Sequence, residues 1–285
     1  MESMSEYTVS FADAHVSIQY DTDELYHFLS LLFGDVCGVP GADTEIRLFI
    51  ALDESTGEYT LNSTACAPFS GPLGVQFAAV LFDAVIFNLL NKNSHGIAFH
   101  AGAVAWQNKV ILLPGQSGYG KSSLTTCLVT HGFSYLTDEL CFMPVDENAP
   151  MLPFTRPLCI KPDTAAAVSQ LISKRALSTA IVDQDGLVIP HRSLNPDFLH
   201  ISAPPSLILL PRYLAGSTLK VDKISAAQVC TLLMTCDVNA RNLADHGFQQ
   251  VVQIARSTPA YQITYSSFQG INDALQDLFD VLHWE

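Results

Sequence analysis

Basic residues are scarce in this 285-residue chain: 14 Lys and Arg stand against 28 Asp and Glu, a formal net charge of −14. Proteins that ride on nucleic acid displace counterions with a basic stripe, and none is present, so nucleic acid is excluded as a partner. Charge of either sign is sparse, at 15% of residues, while hydrophobic residues make up 48%. Such a chain folds around a large core and is no disordered tail. Long apolar runs are also missing, although the mean hydropathy is +0.24. The longest, Phe77 to Leu90, is interrupted by Asp83 and Asn88. It is too short to span a bilayer and reads as a buried helix, so no membrane is expected. The N-terminal MESMSEYTVS is acidic where a secretion signal needs a basic start. The seven cysteines are scattered, with no C-x-x-C pair. They read as reduced core residues of a cytoplasmic protein and support neither a zinc site nor a disulfide framework.

Residues 6–65 carry short β-like runs, at Tyr7–Phe11, His15–Tyr20, Ile46–Leu52 and Tyr59–Asn62, with one helical pattern over Glu24–Phe33. Pro68 to Pro72 is the best boundary. It divides a β-rich region over 1–70, of unassigned role, from a catalytic unit over 71–285. An apolar helix over 75–91 opens the second part. From Ile97 the pattern runs strand, turn at Gln107-Asn108, strand, glycine loop, helix to His131, then strand again through YLTDELCFMPV. This alternation predicts an α/β (α+β) fold. A further buried strand is expected at SLILLPRY, with helices over Ala226–Met234 and Asp273–Leu282.

Gly115-Gln116-Ser117-Gly118-Tyr119-Gly120-Lys121-Ser122 satisfies G-x-x-x-x-G-K-[ST] between an apolar strand and a helix. Each part has a physical task. The glycines let successive backbone N–H groups curl toward phosphate oxygens, and the N-terminal end of the following helix, at Ser122 and Ser123, adds its positive dipole. Lys121 offers a mobile charge to β- and γ-phosphates, and Ser122 a hydroxyl to Mg²⁺. A plain glycine turn with no ligand is the alternative, and the flanking strand and helix argue against it.

Asp138-Glu139 follows where the chain returns from that helix. A paired acid beside a phosphate loop can ligate Mg²⁺ with one group and accept a hydroxyl proton with the other. In another setting it would be a solvated turn. His100 ends an apolar strand run and reads either as a site residue or as a structural strand-edge histidine. Arg156 and Lys161 bracket a strand-like segment. They are either phosphate clamps, Arg156 better because its planar fork suits phosphate, or solvated strand ends.

His100, the loop Gly115–Ser122 and Asp138-Glu139 together resemble, in order and spacing, the C-terminal catalytic domain of HPr kinase/phosphorylase, and more closely the HPr-kinase-related kinases. Phe154-Thr-Arg-Pro-Leu-Cys-Ile-Lys161 is similar to the Arg-Pro-x-x-x-Lys strand of that group, while LILLPRY and Pro259–Tyr265 resemble it more weakly. The resemblance implies a P-loop kinase core of the phosphoenolpyruvate-carboxykinase-like fold, using ATP and Mg²⁺ to phosphorylate a seryl or threonyl hydroxyl. It implies Asp138 as base, Lys121, His100 and Arg156 as further catalytic residues, and Ser122, Glu139 and Asp138 toward the metal. The acceptor it implies is a small protein or peptide, such as a lasso-peptide precursor. Thr155 stands before Arg156 where the bifunctional enzymes carry Glu in a Glu-Arg-Gly signature, so phosphorylase activity is not expected. The first 70 residues do not resemble that family's N-terminal domain, so neither its hexamer nor HPr is implied, and a homo-oligomer is left open. A small-molecule hydroxyl as acceptor, and a non-catalytic nucleotide-binding regulatory module, are the alternative functions.

Overall fold

The computed structural model describes residues 4–39, 47–63, 67–116, 118–146, 149–197, 201 and 203–284. The chain begins with a five-stranded sheet in the order β1-β2-β3-β4-β5: β1 (Ser5–Phe11), β2 (Ala14–Tyr20), β3 (Arg47–Asp53), β4 (Glu58–Ser63) and β5 (Phe69–Gly71). Helix α1 (Asp23–Phe33) follows β2, its N-terminus capped by the Thr22 hydroxyl, which accepts from the Leu25 N–H. Helix α2 (Val75–Leu90) carries the long apolar run. One hydrophobic core contains Val9, Ile18, Leu29 and Leu61 together with Phe77, Leu81 and Val85 of α2, so it spans both sides of residue 70. It reaches Ala98, Leu140 and Phe154 of the following region.

The central sheet is built from β6 (Gly96–Trp106), β7 (Lys109–Pro114), β8 (Ser134–Thr137), β9 (Leu140–Pro144), β10 (Leu152–Pro153), and three later strands, with α3 (Lys121–Thr130) between β7 and β8. A small three-stranded sheet then forms from β11 (Leu158–Ile160), β12 (Ile181–Asp183) and β13 (Gly186–Ile189), interleaved with α4 (Pro162–Ser169) and α5 (Lys174–Leu177). After α6 (His191–Leu194) the central sheet resumes with β14 (Pro205–Tyr213), β15 (Lys220–Lys223) and β16 (Ala260–Tyr265), separated by α7 (Ala226–Cys236) and α8 (Phe248–Ser257), and the chain closes on α9 (Ile271–Val281). The strand order is β10-β9-β6-β7-β14-β16-β15, with β8 also on β6.

β7 is central and apolar on both faces, as a doubly covered strand must be. Its Ile111 and Leu113 pack with Leu124 and Leu128 of α3 and Leu275 and Phe279 of α9. Val110 and Leu112 face the other way, against Val229 and Leu233 of α7 and Val251 of α8. The β6–β7 hairpin turns on Gln107 (φ 46°) and Asn108 (φ 64°), both left-handed as a two-residue turn requires. β7 runs parallel to β14, and β14 parallel to β16. Their C-terminal ends therefore gather at one edge, where β7 leaves the sheet as the glycine loop. The strip of β6 that β7 vacates there is filled by Asn239. Its side-chain oxygen accepts from the Ala98 N–H at 2.8 Å, and its amide donates to the Gly96 carbonyl at 3.0 Å.

The segment YLTDELCFMPV, expected as one strand, is two. The register against β6 shifts by one between Tyr135 and Thr137, and the chain bends at Asp138-Glu139 before resuming as β9. The Thr137 hydroxyl makes the bend by accepting from the N–H groups of Glu139 and Leu140 (3.1 and 3.3 Å) while donating to the Phe154 carbonyl at 2.7 Å. Such bulges re-aim side chains next to functional sites. Cys127, Cys141 and Cys236 are buried core residues as expected, whereas Cys37 is exposed and Cys159 and Cys230 are partly so. Cys66 lies outside the described residues. Among those residues no helix is long and apolar enough to cross a membrane.

Candidate functional site

The glycine loop joins β7 to α3. Gly118 and Gly120 both adopt φ +89°, a conformation that side chains other than glycine resist. A Cβ on Gly120 would also come within 2.3 Å of the Tyr265 hydroxyl, and that hydroxyl donates to the Gly120 carbonyl at 2.9 Å. The loop is thus tied to the end of β16. Gln116, Gly118 and Tyr119 face solvent, Gly115 is buried, and Ser117 lies outside the described residues. Ser122 and Ser123 occupy the first turn of α3 and are partly exposed.

Lys121 is the first residue of α3 and is only 7% exposed. Gly102 on β6 lies under the same helix: a Cβ there would stand 3.0 Å from the Thr125 hydroxyl and 3.4 Å from the lysine's stem. Its ammonium donates to the Asp138 carbonyl at 2.5 Å and approaches His100 Nε2 at 3.2 Å. Burial lowers the Lys121 pKa, and the nearby carboxylates of Glu139 and Asp138 push it back up. An ammonium carries only donors, so Nε2 accepts and the imidazole proton sits on Nδ1. That nitrogen lies 2.8 Å from Glu139 Oε1. The other Glu139 oxygen is paired with Arg156, whose guanidinium also stands 3.4 Å from Asp138 Oδ1. Arg156 is buried, 4.5 Å above the ring of Phe82 from α2. It is thus neither a solvated strand end nor an open clamp: it neutralises two carboxylates. Lys161 is exposed.

The structure therefore gathers His100, Lys121, Asp138, Glu139 and Arg156 into one continuous network. Within it the two acids differ. The Asp138 side chain is 1% exposed, with Oδ2 3.4 Å from the Cys159 N–H and Oδ1 3.3 Å from the Tyr135 hydroxyl. Glu139 is 24% exposed and its partner His100 37%. Burial would raise the Glu139 pKa, but Arg156, then His100 and Lys121, outweigh it and hold the carboxyl far below the ordinary glutamate range. A depressed pKa contributes stability that is complete above the ordinary value of 4.5 and drains away as pH falls below it. Acid-unfolding curves of wild type and Glu139→Gln should accordingly converge as pH drops from 5 toward 2; parallel curves would contradict this linkage.

Several participants carried no clear signal in the sequence. Tyr135 is fully buried and donates to the Arg156 carbonyl at 2.8 Å, joining the β8 strand to the segment that positions the arginine. Burial and then the charge of Asp138 raise its pKa well above that of a free phenol, so it stays a donor. His191 of α6 stacks on the Tyr135 ring (centroids 4.8 Å apart) and is held at 2.8 Å by Asp35 of the N-terminal region. Asp83 of α2 had one hint, a lone acid in an apolar helix. Partial desolvation and the negative charge of Glu139 raise its pKa, while Arg156 and His100 lower it, so it senses the same network.

Two comparisons by sequence are empty: no family profile matches the chain, and no curated protein matches it significantly. Among solved structures there is a distant likeness. The HPr(Ser) kinase/phosphatase from Coxiella burnetii aligns over 65% of this chain and 95% of its own, at 10% identity and a TM-score of 0.33.

For a divalent ion, the donor set is thin. Among the described residues no group of three or more His, Cys, Asp or Glu side chains gathers to hold a metal. Glu139 is engaged through both oxygens and Asp138 is enclosed. Any Mg²⁺ here would have to bring most of its ligands with it, as one bound to phosphates does; Ser122, at the start of α3, is partly exposed.

Proposed function

We propose that the chain is an ATP-dependent phosphotransferase with a P-loop kinase core of the phosphoenolpyruvate-carboxykinase-like fold, passing the γ-phosphate to a serine or threonine hydroxyl of a peptide or small protein. The observation that carries this reading is the meeting of Lys121, at the head of α3 behind the glycine loop, with His100 Nε2 and the Asp138-Glu139 bend. A loop built only to bind phosphate needs the lysine and the backbone N–H groups. It does not need an oriented imidazole against the ammonium, nor a paired acid and a buried arginine linked to that imidazole.

In this reading the glycine loop and Lys121 hold and orient the β- and γ-phosphates, and Ser122 meets the metal. Mg²⁺, bound with the nucleotide, supplies neutralisation of charge on the phosphate oxygens. The proton of the attacking hydroxyl passes to Asp138, the base the motif implies, once its carboxylate opens toward the acceptor. His100 already reaches solvent, and Glu139 holds its Nδ1 side so that Nε2 faces Lys121. Arg156 keeps Glu139 ionised and, at 3.4 Å from Asp138 Oδ1, holds the paired acids in place. Catalysis on this account is positioning and electrostatics. The net charge of −14 favours neutral or basic acceptors in long-range encounter.

The test is mass spectrometry of peptides encoded beside the gene after incubation with the protein, ATP and Mg²⁺. Added phosphate on a hydroxyl supports the reading. Phosphate on a free small-molecule hydroxyl, with every peptide unmodified, replaces the acceptor class, and ATP bound but never consumed replaces the enzyme with a nucleotide-sensing module.

A further inference from the structure

The order of the central sheet gives the glycine loop two unlike sides. On the β6 side lie His100 and the Asp138-Glu139 bend, in contact with Lys121. On the other lie the C-terminal ends of β14 and β16, both parallel to β7 and so ending at the same edge. Ligands of open α/β sheets bind outside such strand ends. A nucleotide with its terminal phosphate at Lys121, facing the charged cluster, has its reacting end on the β6 side. Its nucleoside then extends the opposite way, over the ends of β14 and β16.

What stands there is aromatic and exposed. Tyr213, the last residue of β14, is 51% exposed, and Leu214 after it is 48%. Tyr213 is also fixed in place. Its N–H donates to the Tyr119 carbonyl of the glycine loop at 3.1 Å, and the Leu214 N–H donates to the Tyr265 carbonyl at 2.9 Å. Its ring meets that of Tyr265 edge to face, with centroids 5.9 Å apart. Tyr265, in turn, holds Gly120 through its hydroxyl. An exposed ring locked to the phosphate loop by backbone and by a buried neighbour is preorganised for a planar ligand, because little freedom is left to lose on binding.

We propose that Tyr213, flanked by Leu214, is the platform on which the aromatic base of the nucleotide stacks. The proposal rests on the reading of the glycine loop as a phosphate site. It assigns base binding to a π-face, which every base offers, so that face by itself selects weakly among bases.

Calorimetric titration of Mg-ATP and of Mg-tripolyphosphate, which has the phosphates without the nucleoside, separates the two sites. Stacking is worth about 1–3 kcal/mol per base, so Tyr213→Ala should weaken ATP by about 5- to 150-fold and leave tripolyphosphate within about twofold. Tyr213→Phe, which keeps the ring, should bind ATP like wild type. Tyr213→Thr, which suits a strand end, should repeat the alanine result should that variant fold poorly. The backbone bond to Tyr119 persists in every variant. Undiminished ATP affinity in Tyr213→Ala overturns the platform while the loop reading stands. Equal weakening of both ligands also overturns it, making Tyr213 a support of the loop. A wild-type protein that binds neither ligand overturns the loop reading and the platform with it.

Discussion

Lys121→Ala should lose at least about 10²- to 10³-fold in phosphoryl transfer, the cost of removing one preorganised charge from a transition state. The basis is its position. The ammonium is held between the Asp138 carbonyl and His100, at the mouth of a loop whose backbone is fixed by Gly118, Gly120 and Tyr265. Loss of the lysine should not unfold the protein, because Glu139 and Asp138 keep Arg156 as partner. Asp138→Asn should give a different pattern: nucleotide binding retained, transfer lost. Steady-state turnover and nucleotide titration on both variants decide between these outcomes. Undiminished transfer in Asp138→Asn would move the proton-accepting role to His100, the more exposed group.

Arg156→Met should destabilise the fold by about 3–5 kcal/mol, the range for removing one partner of a buried ion pair and leaving the other charge uncompensated. Two carboxylates depend on this guanidinium. The Asp138 side chain is 1% exposed beside the guanidinium, and Glu139 owes its depressed pKa chiefly to Arg156. The ring of Phe82 beneath the arginine suits a methionine side chain, so packing is largely kept and the electrostatic loss is isolated. Urea unfolding measures it. Adding Glu139→Gln to the Arg156→Met background should restore part of the loss, because one stranded charge is gone. A loss below about 1 kcal/mol would mean that the acids find other partners or take up protons, and that Arg156 does not hold the site together.

The parts legible in the sequence are those set by local pattern. The apolar run of β7, the glycine loop and the start of α3 are written contiguously, and the positive φ of Gly118 and Gly120 explains why glycine stands there. The buried helix α2 and the hairpin turn at Gln107-Asn108 follow from periodicity and turn chemistry in the same way. Other features depend on distant elements. The break between β8 and β9 comes from the Thr137 hydroxyl bonding across to Phe154, in a segment whose composition suits one uninterrupted strand. The small sheet of β11, β12 and β13 has strands of three or four residues, too short for a period to show. Tyr135 lies 21 residues from Arg156, whose carbonyl it bonds, and Asp35 lies 156 residues from His191, and nothing local marks these pairings. Arg156 was visible as a residue but not in its state. The sequence offers a phosphate clamp or a solvated end, and the fold makes it the buried counter-charge of two acids.

The central claim is that this network moves a phosphoryl group. The most direct measurement is ³¹P nuclear magnetic resonance of Mg-ATP with the purified protein and its candidate peptide acceptors. The account predicts that the γ-phosphate resonance is replaced by ADP and a phosphate monoester on the acceptor hydroxyl, and that Lys121→Ala leaves ATP intact. Broadened nucleotide resonances that show binding, with ATP never consumed by the wild-type protein whatever the acceptor, would contradict it.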